Sequence, residues 1–171
     1  MLRRNERNLE NIPVGALGIV ALDGCRQMGE RVDDYIVKWR REDGHAHKND
    51  VAFSGYERDN FLINAKVPRF VSGEAKGILG ESVRGKDIYI MVDVCNYSLT
   101  YSLTGNVNRM SPDDHFQNLK RVIAAVGGKA RRINVIMPSL YESRQHKRSR
   151  RESLDCALAL QELVRMGVDN I

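Results

Sequence analysis

Residues 133–167 read INVIMPSLYESRQHKRSRRESLDCALALQELVRMG, and three textures in that order decide the fold. The run from Arg132 to Pro138 has the length and β-branched content of a strand covered on both faces. It empties into a loop with five Lys or Arg among the eight residues Arg144 to Arg151. A helix follows from about Glu152, with Leu154, Ala157, Leu158, Leu160 and Val164 as its buried stripe, and stops at Gly167. Val168 to Ile171 then reads as entry into another strand. Such alternation implies parallel strands, which need crossover connections, and the crossovers place helices on both faces of the sheet. In open sheets of this kind ligands bind outside the carboxyl ends of the strands. The loop from Ser139 to Arg151 leaves one such end and enters a helix N-terminus, where guanidinium forks and free N–H groups suit a polyphosphate. The bland readings are a solvated basic loop or a nonspecific nucleic-acid patch.

Upstream the same unit recurs. GALGIVAL (15–22) is an apolar strand bounded by Pro13 and Asp23-Gly24, and RQMGERVDDYIVKWRRE (26–42) carries Met28, Val32, Tyr35, Ile36 and Trp39 at helical spacing. Residues 43–60 are a polar excursion, in which His45 and His47, without a third ligand, read as solvated side chains. FLINAKV (61–67) and RFVSGEAKGIL (69–79), broken by Pro68 and Gly73, predict a hairpin or a bent strand. IYIMVDV (88–94) is the central strand candidate. CNYSLTYSLTGNVNRM (95–110) is long for a connection, a sign of function or disorder. Ser111-Pro112-Asp113-Asp114 supplies an N-cap, a first-turn proline and acids at the positive end of a helix, so capping explains Asp113 and Asp114 better than a metal cluster with His115. That helix presents Phe116, Leu119, Val122, Ile123 and Val126 and stops at Gly127-Gly128.

The totals agree with one folded domain over residues 1–171. A chain of 171 residues buries roughly two-thirds of its unfolded surface, enough for a core without staples. Cys25, Cys95 and Cys156 are odd in number and lack a C-x-x-C pair, which favours ordinary thiols and a reducing compartment. With no apolar run of about 18 residues and no apolar signal core, no membrane is expected and a cytoplasmic location is. The net charge of +5 favours an anionic partner. The expected class is α/β: three layers, a mostly parallel sheet with helices on both faces.

RFVSGEAKGILGESVRGKDIYIMVDV, followed downstream by the opening stretch, resembles the N-terminal half of ribose-phosphate pyrophosphokinases. The resemblance rests on the F-x-x-x-E segment (Phe70 to Glu74), the phrase GESVRGKD (Gly80 to Asp87), and the Arg144-Gln145 pair after a Pro-terminated strand. It implies a type I phosphoribosyltransferase-like fold and transfer of diphosphate from ATP to ribose 5-phosphate with Mg2+, giving phosphoribosyl pyrophosphate and AMP. It also implies a homo-oligomer. By the resemblance Phe70 packs on the adenine and Ser72 and Glu74 hydrogen-bond the nucleoside. Arg144 and Gln145 contact adenine or phosphates, with His146 beside them. The family has Asp or Asn at the position of Ser72, and Asp at that of His146. Its metal-binding His and its acidic ribose 5-phosphate loop would lie beyond Ile171. The segment is therefore expected to be the ATP-binding N-terminal half of a two-domain enzyme, inactive alone. A non-catalytic regulatory paralogue is the alternative, motivated by Ser72 and His146. A nucleic-acid-binding module using the Arg-rich loop ranks last, because aromatic interleaving is lacking. Residues 43–60 and 95–111 have no counterpart in that family pattern.

Overall fold

Parallel pairing of three short apolar strands builds the centre of the molecule. β1 (Ala16–Ala21) pairs with β4 (Lys86–Met91), and β4 with β7 (Arg132–Ile136), with Gly18 opposite Ile88 and Ile88 opposite Ile133. The structure, a computed structural model, describes residues 12–43 and 51–171. His45 and His47 lie outside the described residues. Single parallel bridges extend the sheet at both edges, Leu62 beside Ile19 and Asn170 beside Asn134, so the strand entry predicted near Val168 does join β7.

Among the described residues three α-helices cover this sheet from two sides, as the alternation predicts. α1 (Arg26–Asp43) lies over Leu17, Ile19 and Met91; α2 (Pro112–Val126) and α3 (Asp155–Arg165) pack on the opposite face against Val20, Ile88, Ile90, Ile133 and Val135. Because side chains alternate along a strand, an all-apolar β1 can feed both cores at once. β2 (Ala65–Lys66) and β3 (Ile78–Leu79) form the predicted hairpin.

α2 is where local sequence rules act most directly. The Ser111 hydroxyl accepts from the Asp114 amide while the Asp114 carboxylate accepts from the Ser111 amide, a complete capping box with Pro112 in the first turn. The helix ends at Gly127 in the left-handed conformation, φ 59°. Against its flank runs the segment after Glu74. A Cβ on Gly77 would stand 2.3 Å from the Arg121 carbonyl oxygen, so only glycine lets the two backbones approach this closely.

Two helix faces differ from expectation. In α1 the buried positions are Gly29, Asp33 and Val37, Val32 and Ile36 are half-buried, and Met28, Tyr35 and Trp39 are exposed, the last two by 60%. The cause is polar: Asp33 accepts from the Phe61 amide at 2.7 Å, and Arg40 lies over the rings of Tyr56 and Phe61. Both rotate the helix away from its most hydrophobic stripe. α3 starts at Asp155 rather than near Glu152 and buries Cys156, Ala159 and Leu163, leaving Leu158 and Val164 exposed. Glu152 is bonded by the Ser149 hydroxyl and Asp155 by the Ser153 hydroxyl, and such local bonds hold the preceding residues out of the helix. The long connection after β4 is also ordered. It forms an antiparallel ribbon, β5 (Thr100–Leu103) with β6 (Asn106–Arg109), turned by Thr104 and Gly105 at φ 49° and 84°.

Gly77→Ala should cost about 1–3 kcal/mol by forcing β3 and α2 apart, whereas Ser111→Ala should cost about 1 kcal/mol through the lost cap. Denaturant midpoints of the two variants against the native chain check both values. A Gly77→Ala variant as stable as the native chain would show that the close approach is not needed.

Candidate functional site

A helix that follows a strand in a parallel sheet begins at the carboxyl rim, and the first turn of α2 gathers two loops there. The first is the turn from Arg69 to Ala75. Its backbone is closed by Phe70 N–H to Glu74 O at 2.7 Å and Gly73 N–H to Phe70 O at 2.9 Å, with Gly73 at φ 91°. Arg69 bolts the turn in place: one guanidinium nitrogen donates to Gly73 O at 2.9 Å, another to Asp114 Oδ1 at 2.7 Å, and the plane lies 3.8 Å from the Tyr101 ring centroid. Ser72 Oγ donates to Glu74 Oε2 at 3.0 Å. Phe70 is left 51% exposed, an aromatic face held on a rigid turn rather than buried in the core.

The second loop is the basic one. Tyr141 stacks on Phe116 with centroids 4.2 Å apart and planes 7° from parallel, and its hydroxyl donates to Asp113 at 2.6 Å. Beyond it Glu142 adopts the left-handed conformation, φ 56°, and a single 3₁₀ turn carries Ser143 to Gln145. His146 closes this turn with Nδ1 2.8 Å from Ser143 O. Arg144 and the four following Lys and Arg are exposed, and none forms an ion pair among the described residues.

The structure thus brings Phe70, Ser72 and Glu74 together on one turn, and Arg144, Gln145 and His146 on another. It tethers the two turns to adjacent residues of α2, Asp114 and Asp113, but makes no hydrogen bond or ion pair between them. An open depression of about 530 Å³ beside the first turn is walled by Arg69, Glu74, Tyr101, Gln117 and Arg121; a smaller one of about 270 Å³ lies under Tyr141 and Glu142. Asp113 and Gln117 line both.

Electrostatics fix this junction. Burial pushes the Asp114 carboxyl up, but the Ser111 amide, the Arg69 guanidinium and the Ser111 hydroxyl outweigh it and hold the group below the ordinary carboxylate value. Burial, then the Asp113 carboxylate, pushes the Tyr141 phenol up, which keeps its proton in the bond to Asp113. Among the described residues no three His, Cys, Asp or Glu side chains group to hold a metal. Cys25 and Cys156 are buried and Cys95 exposed, all as free thiols. No helix among the described residues is long and apolar enough to cross a membrane. Sequence reasoning missed Arg69, Tyr101 and Tyr141; only their adjacency to Phe70 or to the basic run could have marked the first and last.

Comparison with known proteins places the chain among relatives. The family model for the N-terminal domain of ribose phosphate pyrophosphokinase matches residues 17–167. Over 109 residues, 63% of this chain, the sequence is 29% identical to ribose-phosphate pyrophosphokinase B of Dictyostelium discoideum. Over the same length it is 31% identical to ribose-phosphate pyrophosphokinase 1 of Schizosaccharomyces pombe. The chain spans 30% and 24% of the lengths of those two relatives. The crystal structure of phosphoribosylpyrophosphate synthetase from Mycobacterium smegmatis shares the fold, with a TM-score of 0.63 at 19% identity over 90% of this chain and 40% of that one.

Because the folded pKa of Asp114 is depressed, its stabilising contribution is complete above about pH 4, the unfolded carboxylate value, and is lost as pH falls through the folded value. Unfolding midpoints followed from neutral pH into that acid window should therefore drop more steeply for the native chain than for Asp114→Asn. Parallel profiles would mean that the Arg69 and Ser111 bonds do not load this carboxylate.

Proposed function

The chain belongs to the family of N-terminal domains of ribose phosphate pyrophosphokinases, and on that premise we propose that it supplies the ATP-holding half of a ribose-phosphate diphosphokinase. The reaction assigned is transfer of diphosphate from ATP to ribose 5-phosphate, giving phosphoribosyl pyrophosphate and AMP. The supporting observation is the shared anchorage of the Phe70 turn and the Arg144 turn on Asp114 and Asp113 at one rim.

In this reading each exposed group has a task that its chemistry allows. The open face of Phe70 stacks adenine. Glu74 has one oxygen engaged by Ser72 and the other available to accept from the exocyclic amine. Arg144 and the cations after it draw and clamp the polyphosphate, with Gln145 beside them. Transfer between two bound phosphate esters depends on positioning and charge neutralisation. The present residues hold the nucleotide and do not complete the reaction alone. Magnesium accompanies the phosphates; among the described residues no three His, Cys, Asp or Glu side chains group as its ligands. Assembly into a homo-oligomer belongs to the same reading. A cytoplasmic location does as well.

A second reading, a regulatory paralogue without catalysis, is favoured by one observation: His146 is spent on closing its own turn through Ser143 O and offers no carboxylate there.

The test is calorimetry of the full-length gene product with ATP and magnesium, followed by an assay for AMP release dependent on ribose 5-phosphate. Arg144→Ala should weaken ATP binding about tenfold or more, the value of one charge-assisted hydrogen bond. Unchanged affinity would remove the basic loop from the site. Binding without AMP release would select the paralogue.

A further inference from the structure

The antiparallel ribbon from Thr100 to Arg109 has no part in the sheet, and it leans on the turn that carries Phe70. Leu103 Cδ2 lies 3.5 Å from the place a Gly73 Cβ would occupy, and Tyr101 stacks its ring on the Arg69 guanidinium at 3.8 Å. Arg69 is already fixed without Tyr101, by Gly73 O and Asp114. The ring therefore gains a rigid backing rather than providing one. Tyr101 is half-buried and lines the 530 Å³ depression together with Ser72 and Glu74. Among the described residues its hydroxyl has no hydrogen-bond partner in the protein, and neither has the amide of Gln117 on the adjoining wall.

We propose that Tyr101 is a specificity-determining residue of the nucleotide site: its ring, backed by Arg69, forms a second wall for the nucleoside, and its hydroxyl bonds the base or ribose. The inference rests on the reading of the Phe70 turn as a nucleoside site and adds Tyr101 to the residues assigned to it. The chemistry is that of a flat, heteroatom-rich purine nucleoside. A ring face gives contact area at little entropic cost, and a solvent-facing phenol without a protein partner can exchange its water for a ligand group that pairs with it. The polyphosphate, in contrast, lies toward Arg144 and does not touch the ribbon. Tyr101 should thus act on the nucleoside and leave the phosphate chain alone.

That separation makes the idea testable on the full-length protein by comparing ATP with inorganic tripolyphosphate. Tyr101→Ala should weaken ATP about tenfold, and Tyr101→Phe, which keeps the ring and the fold of the ribbon, about threefold. Tripolyphosphate should bind both variants within about twofold of the native protein, and the preference for ATP over a pyrimidine nucleoside triphosphate should shrink in both. If Phe70→Ala loses ATP affinity while both Tyr101 variants keep it, the inference is overturned and the nucleoside reading stands. Equal loss of ATP and tripolyphosphate in Tyr101→Phe would also overturn it, by showing a general disturbance. If the native protein binds tripolyphosphate as tightly as ATP, the nucleoside site itself fails and the inference falls with it.

Discussion

The carboxylate of Asp114 receives the Ser111 amide, the Ser111 hydroxyl and the Arg69 guanidinium, and so joins a helix cap to a turn 45 residues upstream. Two demands meet at that atom group. A helix N-terminus needs acceptors for its free amides and favours negative charge. An arginine beside that positive end needs a carboxylate in between. Asp114 meets both, and Asp113, its neighbour, holds Tyr141 on the other side. With the glycine at 77 allowing the following strand to touch the α2 backbone, the rim of the sheet becomes one rigid frame. Loops usually carry function because a scaffold positions them; here the scaffold is one turn of helix.

The rules that worked on sequence alone were the short-range ones. Ser111-Pro112 and Gly127 marked both ends of α2, because cap chemistry depends on neighbours in the chain. The strand–helix alternation gave the parallel sheet for the same kind of reason. What failed was rotation about a helix axis. In α1 the hydropathy pattern pointed to Tyr35 and Trp39, yet a bond from Phe61 to Asp33, 28 residues apart, set the face. In the segment from Ser149 to Asp155 two serine hydroxyls delayed α3. Neither effect is visible in a window of apolar residues. The ribbon of β5 and β6 escaped because its strands alternate weakly and turn on Thr-Gly rather than the stronger Asn-Gly signal.

The candidate site divides along the same line. Phe70, Ser72, Glu74, Arg144, Gln145 and His146 came from a motif resemblance, which names side chains but not what holds them. Their supports, Arg69 to Asp114 and Tyr141 to Asp113, span 45 and 28 residues and needed the tertiary structure. Glu142 shows what a tight turn before the basic loop costs. Its left-handed φ of 56° turns the chain back ahead of Arg144. That conformation costs a non-glycine residue on the order of 1–2 kcal/mol, which the stacked Tyr141 and the 3₁₀ turn must offset.

Charge distribution then follows from hydrogen bonding rather than from composition. Three acids at the rim accept hydrogen bonds: Asp114 from Arg69 and Ser111, Asp113 from Tyr141, Glu74 from Ser72. Arg69 is likewise matched, while Arg144, Lys147, Arg148, Arg150 and Arg151 stand exposed and unmatched among the described residues. The rim therefore presents hydrogen-bonded acids, of which Asp114 is ion-paired, beside a cationic margin of five Lys and Arg in eight residues. At physiological salt a field from exposed charges decays over about 8 Å. It can attract a phosphate chain lying along the loop but cannot tell one base from another. In the proposed nucleotide site discrimination would rest on uncharged surfaces at contact distance, the exposed ring of Phe70 and the ring of Tyr101, so attraction and selection would fall to different loops.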